Sequence, residues 1–185
     1  MPAGMRYIAP ILNYWRVSMR IHSRLALTCT LVAAFSATAL AAEYMDKTER
    51  QKARAFSPGV ITEGGCTVWL AGQTALQDDQ GHDLSGNFEG QARQIFRLMD
   101  QTLQKAGGGI ANLVTMTVFI NDPRNGDRLT ELRKEIFPDG NYPGSALITV
   151  SNFAVPGMLI EVQGVAVIGD KCSSENRCSA GWPAR

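Results

Sequence analysis

The stretch Gly140-Asn141-Tyr142-Pro143-Gly144-Ser145-Ala146-Leu147-Ile148-Thr149-Val150 decides the fold, together with Leu159-Ile160-Glu161-Val162-Gln163-Gly164-Val165-Ala166-Val167-Ile168 beyond a short loop. Both runs are rich in β-branched residues, and Pro156-Gly157 interrupts the chain between them, so they read as two strands. One carboxylate, Glu161, stands inside the second apolar run. By alternation it shares a face with Leu159, Gln163, Val165 and Val167. A carboxylate placed there either marks the wet end of that face or carries a function.

Upstream, Phe88, Ala92, Ile95, Met99 and Leu103 recur at spacings of four and three, which is one face of a helix. Asn87 is its N-cap, and Gly107-Gly108-Gly109 ends it. Val114, Met116, Val118 and Ile120 alternate with Thr115, Thr117 and Phe119, giving a strand. Leu129, Leu132 and Ile136 mark a shorter helix stopped by Pro138. Residues 55–61 and 66–71 read as two further strands around Glu63-Gly64-Gly65. Residues 78–83 form a polar hairpin loop. The order is strand, strand, helix, strand, helix, strand, strand. This predicts an α+β fold, a mixed sheet with two helices packed on one face. The other face keeps apolar groups, Trp69 and Phe119 among them, and oligomerisation is the natural way to cover it.

Four segments follow: a targeting segment at 1–41, a charged leader at 42–54, a domain at 55–170 and a polar tail at 171–185. The formal net charge of +1 hides an asymmetry. Residues 1–41 hold Arg6, Arg16, Arg20 and Arg24 and no acid. Taking those four from the 18 basic residues leaves 14 against 17 acidic ones, a balance of −3. Such a domain has no electrostatic reason to bind nucleic acid. Arg20 and Arg24 precede a mostly apolar run from Leu25 to Leu40, and Ala39-Leu40-Ala41 fits a small-x-small cleavage site. Met19 is an alternative start. A cleaved export signal is expected in preference to an uncleaved membrane anchor or an organellar presequence, with a periplasmic or secreted product and no stable membrane span after cleavage. Cys66 is expected to be a buried small hydrophobe. Cys172 and Cys178 are spaced for a local disulfide in an exported protein.

Other chemistries fail on inventory. His82 is the only histidine after residue 41, in a polar turn, so no His-based triad has a second candidate. Two tail cysteines without a second pair make no zinc site, and Asp78, Asp79 and Asp83 lack calcium-loop spacing. No metal or cofactor is expected. The glycine triplet ends a helix rather than opening one, so it does not cradle a phosphate.

Four pieces occur in order: Phe56-Ser57-Pro58-Gly59-Val60, Leu70-Ala71-Gly72-Gln73, Val118-Phe119-Ile120-Asn121-Asp122 and Ile160-Glu161-Val162. In sequence and spacing they resemble the RidA/YjgF family of enamine and imine deaminases. The resemblance covers residues 56–168. It implies a chorismate-mutase-like fold, a homotrimer and small-molecule ligands in the clefts between subunits. It implies Glu161 as the catalytic carboxylate that orients water. It implies Phe56, Ser57, Gly72, Arg124, Ser145 and Leu147 as substrate-binding positions.

Three positions depart from the family pattern. Ser145 stands where the family's Pro-Ala-Arg-Ser carries the Arg that grips a substrate carboxylate. Ala71 replaces the Ser of Leu-Ser-Gly-Gln. Phe56 lacks the hydroxyl of the usual Tyr. A bidentate Arg–carboxylate contact is roughly twice as strong as a neutral hydrogen bond. The loss at 145 therefore predicts weak hydrolysis of 2-imino acids, rescued by Ser145→Arg. Arg124, after the central strand, is the replacement cation the sequence offers; otherwise it is a solvated arginine. The functional expectation is a RidA-like hydrolase of 2-imino and 2-enamino acids, or a descendant of one. The alternatives are a non-catalytic small-molecule binder using the same inter-subunit cleft, and an interaction protein with a vestigial pocket. Some relatives carry an endoribonuclease label, for which the acidic balance gives no physical support.

Overall fold

The computed structural model describes residues 42–170 and residue 172. The elements are β1 (Glu43–Tyr44), α1 (Glu49–Ala53), β2 (Val60–Ile61), β3 (Cys66–Gln73), α2 (Phe88–Lys105), β4 (Leu113–Ile120), α3 (Gly126–Ile136), β5 (Gly144–Thr149) and β6 (Ile160–Ile168). The main sheet has the order β3-β6-β4-β5. β6 runs antiparallel to both neighbours, and β4 and β5 are parallel, with α3 as their crossover. Among the described residues, no helix is long and apolar enough to cross a membrane.

The predicted mixed sheet with α2 and α3 on one face is the one observed. Asn87 caps α2 by accepting the Gly90 amide hydrogen, at 3.0 Å. The apolar stripe of α2 is buried: Ala92, Ile95, Met99 and Leu103 are each fully inaccessible. Leu129 and Leu132 of α3 meet the same core. From the sheet, Met116, Val118, Ile120, Ile160 and Val162 face these helices.

Three expectations are corrected. The first predicted strand shrinks to β2, because Ala55 takes a positive φ of 53° and Pro58 lacks the amide hydrogen a ladder needs. The segment read as a leader carries β1 and α1. α1 has no buried residue, but Thr48 and Gln51 form a capping box at its start. Cys66 is exposed, since β3 begins at the rim of an edge strand. Cys172 is buried and disulfide-bonded; Cys178 and the targeting segment lie outside the described residues.

An ion-pair cluster ties α2 to α3. Glu89 accepts from Arg93 and Arg128, and Arg93 reaches Glu135. Hydrogen bonds from Arg128, then Arg93, hold the Glu89 carboxyl down at about 2. A carboxyl depressed on folding stabilises the fold above its ordinary value of 4.5 and loses that contribution as pH falls towards 2. Between pH 5 and 3 the melting temperature should therefore fall more steeply for the natural chain than for Glu89→Gln. Equal slopes in thermal melts would refute this role.

Candidate active site

β5 enters the sheet at Gly144, beside the loop that carries Phe56 and Ser57. Ser57 is buried. Its amide donates to the Pro143 carbonyl at 3.3 Å, and its hydroxyl to the Tyr142 carbonyl. The hydroxyl is thus spent on fastening the Phe56 loop to β5. Phe56, Ser145 and Leu147 line a cavity of 170 Å³, whose other walls are Arg50, Arg54 and Arg133. A wider groove of 580 Å³ shares Phe56 and Ser145 and runs past Gly59 to Thr115 and Thr117.

Sequence reasoning missed Arg133. It lies on α3 beside the core residue Leu132 and is only 3% exposed. Its Nη1 donates to Ser145 Oγ at 2.9 Å and its Nη2 to the Arg54 carbonyl at 3.0 Å. Its Nε is buried and, among the described residues, has no hydrogen-bond partner. Burial, and then the charge of Arg54, push its pKa down to about 10, which leaves it a cation at neutral pH. The position that lacks the expected arginine therefore has a guanidinium delivered to it from the helix. In sequence the only hint was a charged residue directly after an apolar helix position, which ordinarily reads as a side chain reaching out to solvent.

Arg124 does not join this group. Its Nε and Nη2 both bond to Asp122, whose carboxylate also caps the turn before α3. Its side chain is 89% exposed.

Glu161 sits elsewhere. It pairs with Phe119 across the sheet, while Ser145 pairs with Met116. Met116 lies in the core under the helices, and neighbouring residues along β4 alternate. Ser145 and Glu161 therefore belong to opposite faces of one sheet. The Glu161 carboxylate lies in a notch over Gly72: a Cβ built on Gly72 would stand 2.0 Å from Oε1. A bulge between Leu70 and Gln73 brings that stretch of β3 across. Among the described residues, no side-chain or loop donor is hydrogen-bonded to this carboxylate. Gly72→Ala should leave the melting temperature nearly unchanged, since a flexible side chain can move aside. Displacing the carboxylate by about 1 Å should cost on the order of 10²-fold in turnover. Unimpaired turnover would show that this placement is unimportant.

Known proteins resemble this chain in sequence and fold. The Endoribonuclease L-PSP family profile matches residues 47–168. The chain belongs to this family, the RidA/YjgF group. Human 2-iminobutanoate/2-iminopropanoate deaminase is 31% identical over 115 residues, covering 62% of this chain and 80% of the human protein. The rat protein of the same name is 29% identical over 116 residues, covering 62% and 81%. Among solved structures, the Rid family protein YyfB of Yersinia pestis is 20% identical with a TM-score of 0.60, covering 68% of this chain and 96% of that one. That likeness concerns the fold.

Proposed function

We propose that this RidA/YjgF protein deaminates small 2-imino acids by hydrolysing their C=N bond; its human and rat relatives are named 2-iminobutanoate/2-iminopropanoate deaminases. The observation that carries the reading is the Glu161 carboxylate held over Gly72, uncommitted to any other side chain among the described residues. Such a group orients water and moves a proton at the imine carbon. Water's oxygen bonds to C2, the C–N bond breaks, and nitrogen leaves as ammonia with a 2-oxo acid remaining. The test is a coupled assay in which 2-iminobutanoate is generated in situ and its decay followed with purified protein. Decay no faster than in buffer would refute the activity and favour the binding-protein alternative.

The working form in this proposal is a homotrimer. Trp69 is 79% exposed on the sheet face that, among the described residues, no helix covers, with Ile148 42% exposed on the same face. A subunit carrying Ser145 and Glu161 on opposite faces needs a neighbour to complete a cleft. One protomer would supply Glu161 and Gly72, the next Phe56, Ser145 and Leu147.

Export also belongs to the proposal. The apolar run ending in Ala39-Leu40-Ala41 supports it, and so does a disulfide at Cys172, since disulfides persist in oxidising compartments. The mature chain is then expected to begin near Ala42. Intact mass of protein from the native host checks this; a chain retaining Arg20 and Arg24 would contradict it.

A further inference from the structure

We propose that Arg133 is the residue that holds the substrate's carboxylate in this chain, in the cavity it forms with Arg50, Arg54, Phe56, Ser145 and Leu147. This rests on the imine-hydrolase reading and adds to it a specificity-determining residue on α3.

The first support is an electrostatic imbalance. Arg133 is nine-tenths buried, and among the described residues it has no ion pair. Two of its five N–H groups serve Ser145 and the Arg54 carbonyl, and its Nε serves nothing. A buried cation without a counter-ion is costly, and the usual remedies are a paired acid or a loss of charge. Neither has occurred. Arg54 has a partner, Asp127, but that acid is 87% exposed, outside the cavity. Among the described residues, the cavity thus presents Arg50, Arg54 and Arg133 with no acid in its lining. An anionic ligand is the missing group.

The second support is shape. At 170 Å³ the cavity is smaller than the roughly 300–1,000 Å³ of sites that take drug-sized ligands. Its apolar walls, Phe56 and Leu147, suit a short alkyl group. The ligand class is therefore a small monocarboxylate with a short apolar side chain. Ser145 is the enabling residue. A longer side chain there would fill the space in which Arg133 Nη1 meets Oγ. The clamp has moved from the strand to the helix, and a small residue at 145 leaves room for it.

The consequence is opposite to the expectation from sequence alone. Ser145→Arg would set a second guanidinium against Arg133 and occlude the cavity. It should weaken carboxylate binding rather than restore it.

The test uses the full chain with two substrates, 2-iminobutanoate and an imine of similar size without a carboxylate. Calorimetric titration with 2-oxobutanoate, the product, measures binding alone. Arg133→Met should raise KM for 2-iminobutanoate by about 10–100-fold, the range expected for losing hydrogen bonds to a charged group. It should leave kcat near its natural value, because binding common to ground and transition state is what is removed. The neutral imine should be unaffected. Arg133→Lys should fall between, since a point charge lacks the planar fork. An unchanged KM, or equal damage with the neutral imine, would overturn the assignment. So would increased activity in Ser145→Arg. If Arg133→Met does not fold, Arg133→Lys and Ser145→Arg still decide. If the natural chain hydrolyses neither imine, the functional reading fails, and 2-oxobutanoate titration judges the site separately: binding weakened in Arg133→Lys supports it, and unchanged binding there or absent binding to the natural chain ends it.

Discussion

Glu161→Gln is expected to lower imine hydrolysis by about 10²–10⁴-fold, the usual contribution of a positioned general acid–base group. The amide keeps the shape of the carboxylate, so the notch over Gly72 stays filled and the β6 register is undisturbed. It cannot take a proton from water at neutral pH. The loss should appear in kcat, with KM nearly constant, because Arg133 and not Glu161 holds the carboxylate. Kinetics with 2-iminobutanoate, with thermal melts to show an unaltered fold, provide the check. Retention of more than about a tenth of the turnover would remove Glu161 from the chemistry.

Trp69→Asp should abolish both assembly and activity. Central aromatic residues of an interface commonly contribute about 2–4 kcal/mol each, and in a trimer every subunit loses one. Aspartate adds the cost of burying a charge against the neighbour's sheet. Because Trp69 is 79% exposed in the single chain, the substitution removes almost no packing within the subunit. Mass photometry at micromolar concentration should show monomers for the variant and trimers for the natural chain. A natural chain that is monomeric, or an active monomeric variant, would defeat the shared-cleft proposal.

Much of the fold was legible because local pattern and tertiary role agree. The α2 stripe, the β4 alternation and the two C-terminal runs each bury the face their periodicity marks. α1 escaped notice because it buries nothing, although Thr48-Glu49-Arg50-Gln51 carries the capping-box spacing that should have revealed it. The site divided along the same line. Glu161 was visible as a charge interrupting an apolar strand. Ser145 was visible only as a missing arginine, read through the resemblance. Arg133 was not visible, because its meaning depends on a contact spanning the turn between α3 and β5 and on a backbone carbonyl at the end of α1. No periodicity encodes such a meeting.

Among the described residues, β5 is an edge strand, paired along its length with β4 and touched on its free side by the single Ser57–Gly144 bridge. It supplies Ser145 and Leu147, two walls of the small cavity. Local opening of a segment held by few contacts costs less free energy than unfolding the whole domain. Molecules with β5 detached are not competent to bind, and the apparent dissociation constant rises by the reciprocal of the competent fraction. Occupancy and strand docking are thus linked: whatever holds β5 down, a neighbouring subunit or the ligand itself, raises affinity without adding any contact to the anion.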